Sequence, residues 1–278
     1  RRPLQAQAVQ SPRWDATVRQ GINDFIAAYG KDSPNYDKNN HPYAVFDFDN
    51  TTSILDVGEQ LEVWQLDHLQ FAVPPTQMKS VLMTGIPADK LDAIRAAVSY
   101  FKVPGVKDVL AMTNKVDANG RYLNQYDYDL HPQTQGVGKA ETLAKILVPK
   151  YKGHGPSFTA MDSQGDFNFC TEFKDTKEVL VINRTRTDDA ALCAGIAAYQ
   201  EKHGIEKNGD SLFLIQGRNE NKGEFWNDDK TLLLGKKSIY LSDKATKAET
   251  ELEQGKTIVQ VLKDNTKLKD KYQGYKTR

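Results

Sequence analysis

Apolar residues recur at helical spacing at Trp14, Val18, Ile22, Phe25 and Ile26, after a Ser11-Pro12 start signal. This predicts a helix over 12–29. A polar, turn-rich stretch follows from Gly30 to Pro42, and Tyr43 to Phe48 then reads as a strand. Helical patterns return over 54–72, with Leu55, Leu61, Trp64, Leu66 and Leu69, and over Pro87 to Tyr100, the two being separated by Val73-Pro74-Pro75. Val109–Met112 is read as a short strand. Asp117-Ala118-Asn119-Gly120 is a hairpin turn, because Asn-Gly supplies the positive φ angles such turns need.

Beyond the hairpin the pattern alternates. Gly138–Leu147 predicts a helix, Phe158–Met161 a strand, and Val179–Asn183 a strand buried on both faces by its uninterrupted apolar character. Ala190–Tyr199 predicts a helix of small residues and Leu212–Ile215 a late strand. Strands alternating with helices predict an α/β fold whose parallel sheet is flanked by helices. In such folds ligands lie beyond the carboxyl ends of the strands.

Composition adds bounds. At 278 residues the chain can bury a full core, as one domain with an insertion or as two domains. Its 37 basic and 37 acidic residues balance, so no polyanion is indicated as partner. The basic C-terminal stretch with Lys263, Lys267, Lys269, Lys271, Lys276 and Arg278 reads as a solvated helix face, not a nucleic-acid site. No apolar run approaches the ~20 residues of a membrane span. Cys170 and Cys193 are either one disulfide or two buried thiols.

The candidate chemistry sits where strands end. Val45-Phe46-Asp47-Phe48-Asp49-Asn50-Thr51-Thr52 closes a strand with two aspartates and then hydroxyls. Paired carboxylates there are costly to desolvate unless a cation compensates them. Gly136-Val137-Gly138-Lys139 places a lysine at a helix start, where free N–H groups favour an anion. Met161-Asp162-Ser163-Gln164-Gly165-Asp166 ends another strand in an acid, with a second acid four residues on.

These three segments, in this order, resemble the first, third and fourth motifs of the haloacid dehalogenase superfamily, most of whose members are magnesium-dependent phosphatases. The resemblance spans roughly residues 43 to 183. It implies a Rossmann-like core from residues 1–53 and 109–278, with a helical cap inserted over 54–108. It implies that Asp47 is the nucleophile, Asp49 the general acid and base, and Lys139 the neutralising cation. Magnesium would be held by Asp47, the backbone carbonyl of Asp49, and Asp162, with Asp166 ligating or orienting the shell. The acid at Asp49 favours phosphoryl transfer over carbon–halogen cleavage.

Thr51 and a second-motif hydroxyl would meet the substrate. Thr84 is the choice for that hydroxyl and Thr113 the second candidate. The interval from Asp47 to Lys139 is 92 positions, shorter than in relatives similar to the phosphorylcholine phosphatases. Thr51–Glu59 is similar to the phosphoserine phosphatase pattern, in which an acid corresponding to Glu59 meets the substrate amine. An exposed helical glutamate is the plainer reading of Glu59. Trp64, Tyr100 and Phe101 read as core rather than as an aromatic box for a quaternary ammonium. Gln216-Gly217-Arg218-Asn219-Glu220-Asn221 reads as a surface turn near a strand end, the alternative being a loop that closes over the site.

The expectation is therefore hydrolysis of a small phosphomonoester such as phosphorylcholine or phosphoserine. The alternative is a phosphate-binding protein of the same fold that lacks the second motif. The opening Arg1–Ala8 carries neither an initiator Met nor the apolar segment of a signal peptide. Read as the start of a processed or trimmed chain, and taken with the possible Cys170–Cys193 disulfide and the resemblance to exported phosphatases, it points to a periplasmic or secreted protein.

Overall fold

A computed structural model of the chain describes residues 8–56, 63–64, 67–68, 95, 98–119, 121–129, 134–207, 209–268 and 271–278. Helix α1 (Ala16–Tyr29) precedes β1 (Ala44–Phe46), a hairpin of β2 (Asn114–Val116) and β3 (Tyr122–Tyr126), and α2 (Val137–Thr142). Then come β4 (Phe158–Met161), α3 (Phe167–Thr171), β5 (Glu178–Ile182), α4 (Ala190–His203) and β6 (Leu212–Gln216). Four two-residue strands follow: β7 (Arg218–Asn219), β8 (Glu224–Phe225), β9 (Thr231–Leu232) and β10 (Ser238–Ile239). Helices α5 (Asp243–Glu253) and α6 (Ile258–Asn265) complete the order.

Strands β1, β4, β5 and β6 form one parallel sheet in the order β1-β4-β5-β6. The two-residue alternation of a strand divides its side chains between two cores. Phe158, Ala160, Leu180, Ile182 and Leu214 face one way and pack with Val18, Ile22 and Phe25 of α1. Met161, Val179, Val181, Phe213 and Ile215 face the other way, against α2, α3, α4 and the C-terminal helices. Each fully buried Leu, Ile or Phe contributes about 1.5–3 kcal/mol, so these layers dominate the fold. The expected α/β Rossmann-like sheet with helices on both faces is present.

Small residues on α4 serve close packing. A Cβ at Gly195 would stand 2.3 Å from the Ala245 carbonyl oxygen of α5, so any side chain there would push the helices apart. Helix α1 begins later than its apolar stripe predicts, because Asp15 caps it by accepting from the N–H groups of Thr17 (2.8 Å) and Val18 (3.2 Å). Helix α2 continues through a widened turn at Leu143–Leu147 into Val148–Lys150.

Several expectations are corrected. Val109–Met112 forms no strand: the Met112 N–H goes to the Thr134 hydroxyl, and strand pairing starts at Asn114. The hairpin turn itself holds, with the Asp117 carboxylate accepting from the N–H groups of Asn119 and Arg121. The C-terminal residues are not one solvated helix face. Helix α6 stops at Asn265, and the tail folds back so that Lys276 donates to the Thr176 carbonyl and Arg278 pairs with Glu172. Cys170 and Cys193 are buried free thiols.

Trp64, Tyr100 and Phe101 are exposed, not core. Most of 54–108, where the cap is expected, lies outside the described residues. No helix among those described is long and apolar enough to cross a membrane.

Candidate active site

Strand β1 ends at Phe46, and the Asp47 N–H extends its ladder by one bond to the Ala160 carbonyl (3.2 Å). The chain then leaves the sheet. Asp49 keeps an extended backbone, and Asn50 turns into the left-handed region at φ 62°, which asparagine tolerates better than most residues. The Thr52 hydroxyl ties the turn to the Asp47 carbonyl at 2.7 Å, and the Ser53 N–H reaches the Phe48 carbonyl at 2.9 Å. This turn fixes the start of the site. Among the described residues β1 is an edge strand with Ala44 and Phe46 exposed, not the buried strand its apolar run predicts, and the polar residues follow where its pairing with β4 ends.

Lys139 reaches the same point from α2. Its Nζ lies 2.5 Å from Asp47 Oδ1 and 2.6 Å from Asp166 Oδ1. The side chain, not the helix start, does this. The N–H groups of Gly138 and Lys139 are spent on the carbonyls of Gln135 and Gly136. Gly136, at φ 58°, also donates its N–H to the Gly165 carbonyl (2.8 Å), which joins the lysine segment to the Asp162–Asp166 loop.

Asp162 stands at the end of β4 and is almost fully buried. Its Oδ1 faces the Thr51 hydroxyl at 3.3 Å, and that hydroxyl also lies 3.1 Å from Asp47 Oδ2. Asp166 is fully buried. Its Oδ2 accepts from the N–H groups of Asp162 and Ser163 and from the Ser163 hydroxyl. With Oδ1 held by Lys139, both oxygens of Asp166 are engaged, so this acid anchors the loop and the lysine.

Carboxylate oxygens of Asp47, Asp162 and Asp166 lie within 4.8 Å of one another. The convergence is electrostatically unfavourable by itself. Burial and then repulsion from Asp166 push Asp162 up to about 6, against the pull of Arg184. Burial also raises Asp166 despite the neighbouring ammonium. Burial works against a charge on Lys139, but Asp166 and Asp47 outweigh it and hold the ammonium firmly protonated. Such an all-oxygen donor set suits a hard divalent cation, magnesium among them.

Two arginines complete the rim; sequence reasoning missed Arg184 and set Arg218 in a segment favoured as a surface turn. Arg184 follows β5 and donates from Nη1 to Asp162 Oδ2 at 2.7 Å. The signal that marked Asp47 and Asp162, a charged residue just past an apolar run, marks Arg184 as well. Arg218, just past β6, is buried and not part of a surface turn. Its guanidinium grips Asn50 at the carbonyl and Oδ1 (3.3–3.4 Å) and pairs with Glu220 at 3.1 Å. Gly217 permits this path, since a Cβ there would meet the Lys230 carbonyl oxygen at 2.0 Å.

The structure thus gathers Asp47, Thr51, Lys139, Asp162 and Asp166 at one sheet end. Asp49 is half-buried in the same turn. Glu59 and Thr84 lie outside the described residues. Thr113 precedes β2, where its hydroxyl faces the Asn114 carbonyl at 3.4 Å.

No protein-family model and no curated protein matches the chain. Among solved structures it is similar to a conserved, functionally unknown protein from Anaerococcus prevotii DSM 20548. The identity is 16% and the TM-score 0.61, over 83% of this chain and 100% of that one. Likeness at that identity establishes a shared fold.

Proposed function

We propose that this chain is a divalent-metal-dependent phosphomonoesterase that works through an aspartyl phosphate. The observation that carries the reading is the placement of Asp47: a carboxylate at a strand's carboxyl end, with one oxygen on the Lys139 ammonium and the other on the Thr51 hydroxyl. A carboxylate nucleophile splits one hard displacement into two easier ones. Asp47 and Asp162, with the Asp49 carbonyl, would hold a magnesium ion, which supplies charge neutralisation to the phosphoryl oxygens when bound. Asp166 holds Lys139 in place for the same purpose.

In the first step an Asp47 oxygen forms a bond to phosphorus as the ester P–O bond breaks. Asp49 gives its proton to the departing alkoxide. In the second, Asp49 takes a proton from water as the water oxygen attacks phosphorus, releasing inorganic phosphate and restoring Asp47. Lys139 stays protonated throughout and offsets charge on the phosphoryl oxygens. The substrate class is a small phosphorylated alcohol, phosphorylcholine and phosphoserine being the two that the sequence suggests.

The test is hydrolysis of p-nitrophenyl phosphate with magnesium, set against Asp47→Asn and an EDTA control. Metal-dependent turnover that disappears in the variant supports the reading. A folded wild type that binds magnesium without turnover moves the assignment to a phosphate-binding protein of the same fold.

A further inference from the structure

The sheet order places a charge gradient along its carboxyl edge. Asp47 follows β1, Asp162 follows β4, Arg184 follows β5 and Arg218 follows β6, so two acids give way to two guanidinium groups. Neighbouring strands are about 4.8 Å apart, which puts the end of β5 roughly 10 Å from that of β1.

The cations around this edge differ in what they have left to give. Among the described residues, Lys139 is spent on Asp47 and Asp166, Arg186 on Asp188, and Lys244 on Asp189. Arg218 is spent on Glu220 and Asn50. Among the described residues, Arg184 gives a single Nη1 hydrogen bond, to Asp162, and its side chain is 26% exposed. The rest of its planar fork is available, and such a fork matches a carboxylate or phosphate with two parallel bonds.

The backbone beside it is held at a cost. Thr185, a β-branched residue, has φ 52°, a left-handed conformation that strains such a side chain. The Asn183 side chain enforces it, accepting from the Thr185 N–H at 2.9 Å while donating to the carbonyls of Asp229 (2.8 Å) and Tyr240 (2.7 Å). The turn that presents Arg184 is therefore pinned from three segments.

Resting on the phosphomonoesterase reading, we propose that Arg184 is a specificity residue which binds an anionic group on the leaving alcohol. The preferred substrate carries a second negative charge, a carboxylate or a second phosphate, a few bonds from the scissile ester. Asp162, were it to hold a metal ion, would share its charge with that ion and leave Arg184 a stronger attractor for that group. A cationic alcohol such as choline is disfavoured at the same place.

The experiment compares kcat/KM of the full chain with magnesium on four substrates: p-nitrophenyl phosphate, phosphorylcholine, phosphoglycolate and glucose 1,6-bisphosphate. The last two separate a carboxylate from a second phosphate. At least one of them should exceed phosphorylcholine tenfold or more in the wild type. Arg184→Gln should lower that preferred substrate at least tenfold more than p-nitrophenyl phosphate, mainly through KM, with Arg184→Lys in between.

Equal or better turnover of phosphorylcholine overturns the proposal in the wild type alone, whether or not the variants fold. So does a preference that survives both variants, or a loss shared equally by all four substrates. No turnover of any substrate, p-nitrophenyl phosphate included, instead sinks the phosphomonoesterase reading on which the proposal rests.

Discussion

The ammonium of Lys139 lies 2.5 Å from Asp47 Oδ1, a contact that joins residues 92 positions apart. Nothing local fixes it; it exists because β1 ends and α2 begins at the same edge of the sheet. Its second bond, to the fully buried Asp166, makes the lysine structural as well as chemical. Lys139→Met strands the Asp166 charge, and losing one partner of a buried pair costs about 3–5 kcal/mol. Urea unfolding should show that loss as a lower midpoint. Phosphatase turnover of the folded fraction should fall about 10²–10³-fold, as for other removed transition-state donors.

Thr51 stands between the two acids assigned to the metal, with one proton to share between Asp47 Oδ2 and Asp162 Oδ1. It orients both carboxylates. Thr51→Val keeps the shape and removes the shared proton, so magnesium should bind 10–100-fold more weakly, the usual effect of losing a partner behind a ligand. Calorimetric titration of the metal into the two proteins reads this directly. An unchanged affinity would put the metal elsewhere.

How much of this was legible in the sequence depended on whether the signal was local. Uninterrupted apolar runs gave β4 and β5, and the acids that end such runs gave Asp47 and Asp162. Asp166 and Lys139 came with the motif spacing. Arg184 is equally local, following Val179–Asn183, but a single arginine after a strand is by itself no sign of a site. Arg218 carried no local signal: its role depends on Asn50, 168 residues away, and on a glycine that lets two backbones touch. The strands β7 to β10 are two residues each, too short to leave a periodic pattern. Val109–Met112 failed for the opposite reason: it is a short apolar run, but it pairs with no strand among the described residues.

The two thiols offer a test of the packing itself. Cys170 and Cys193 lie inside the core between the sheet, α3 and α4, and burial raises both above the ordinary thiol value. Reaction needs the thiolate and access to it. Ellman's reagent should therefore label neither cysteine in the native protein at pH 8 and both after unfolding in guanidinium. Reducing agent should leave the melting temperature unchanged. Prompt native labelling would mean that α4 is not seated as described.

Glu178, the first residue of β5, is buried with Oε1 lacking a partner among the described residues. Burial, with a smaller contribution from Asp24, raises its carboxyl to about 8, from 4.5. The folded state therefore holds a proton that the unfolded chain releases at about pH 4.5. Between those values the native state binds more protons, so stability falls as pH rises from about 4.5 to 8. Each unit of such a shift is worth about 1.4 kcal/mol, and relaxation around a partly solvated carboxyl reduces the total to a few kcal/mol. Glu178→Gln keeps the shape and removes the titration. Its urea midpoint should match the wild type near pH 4.5 and exceed it at pH 8, the gap opening steadily between. A gap that stays constant across the range would show that Glu178 is already ionised in the native state.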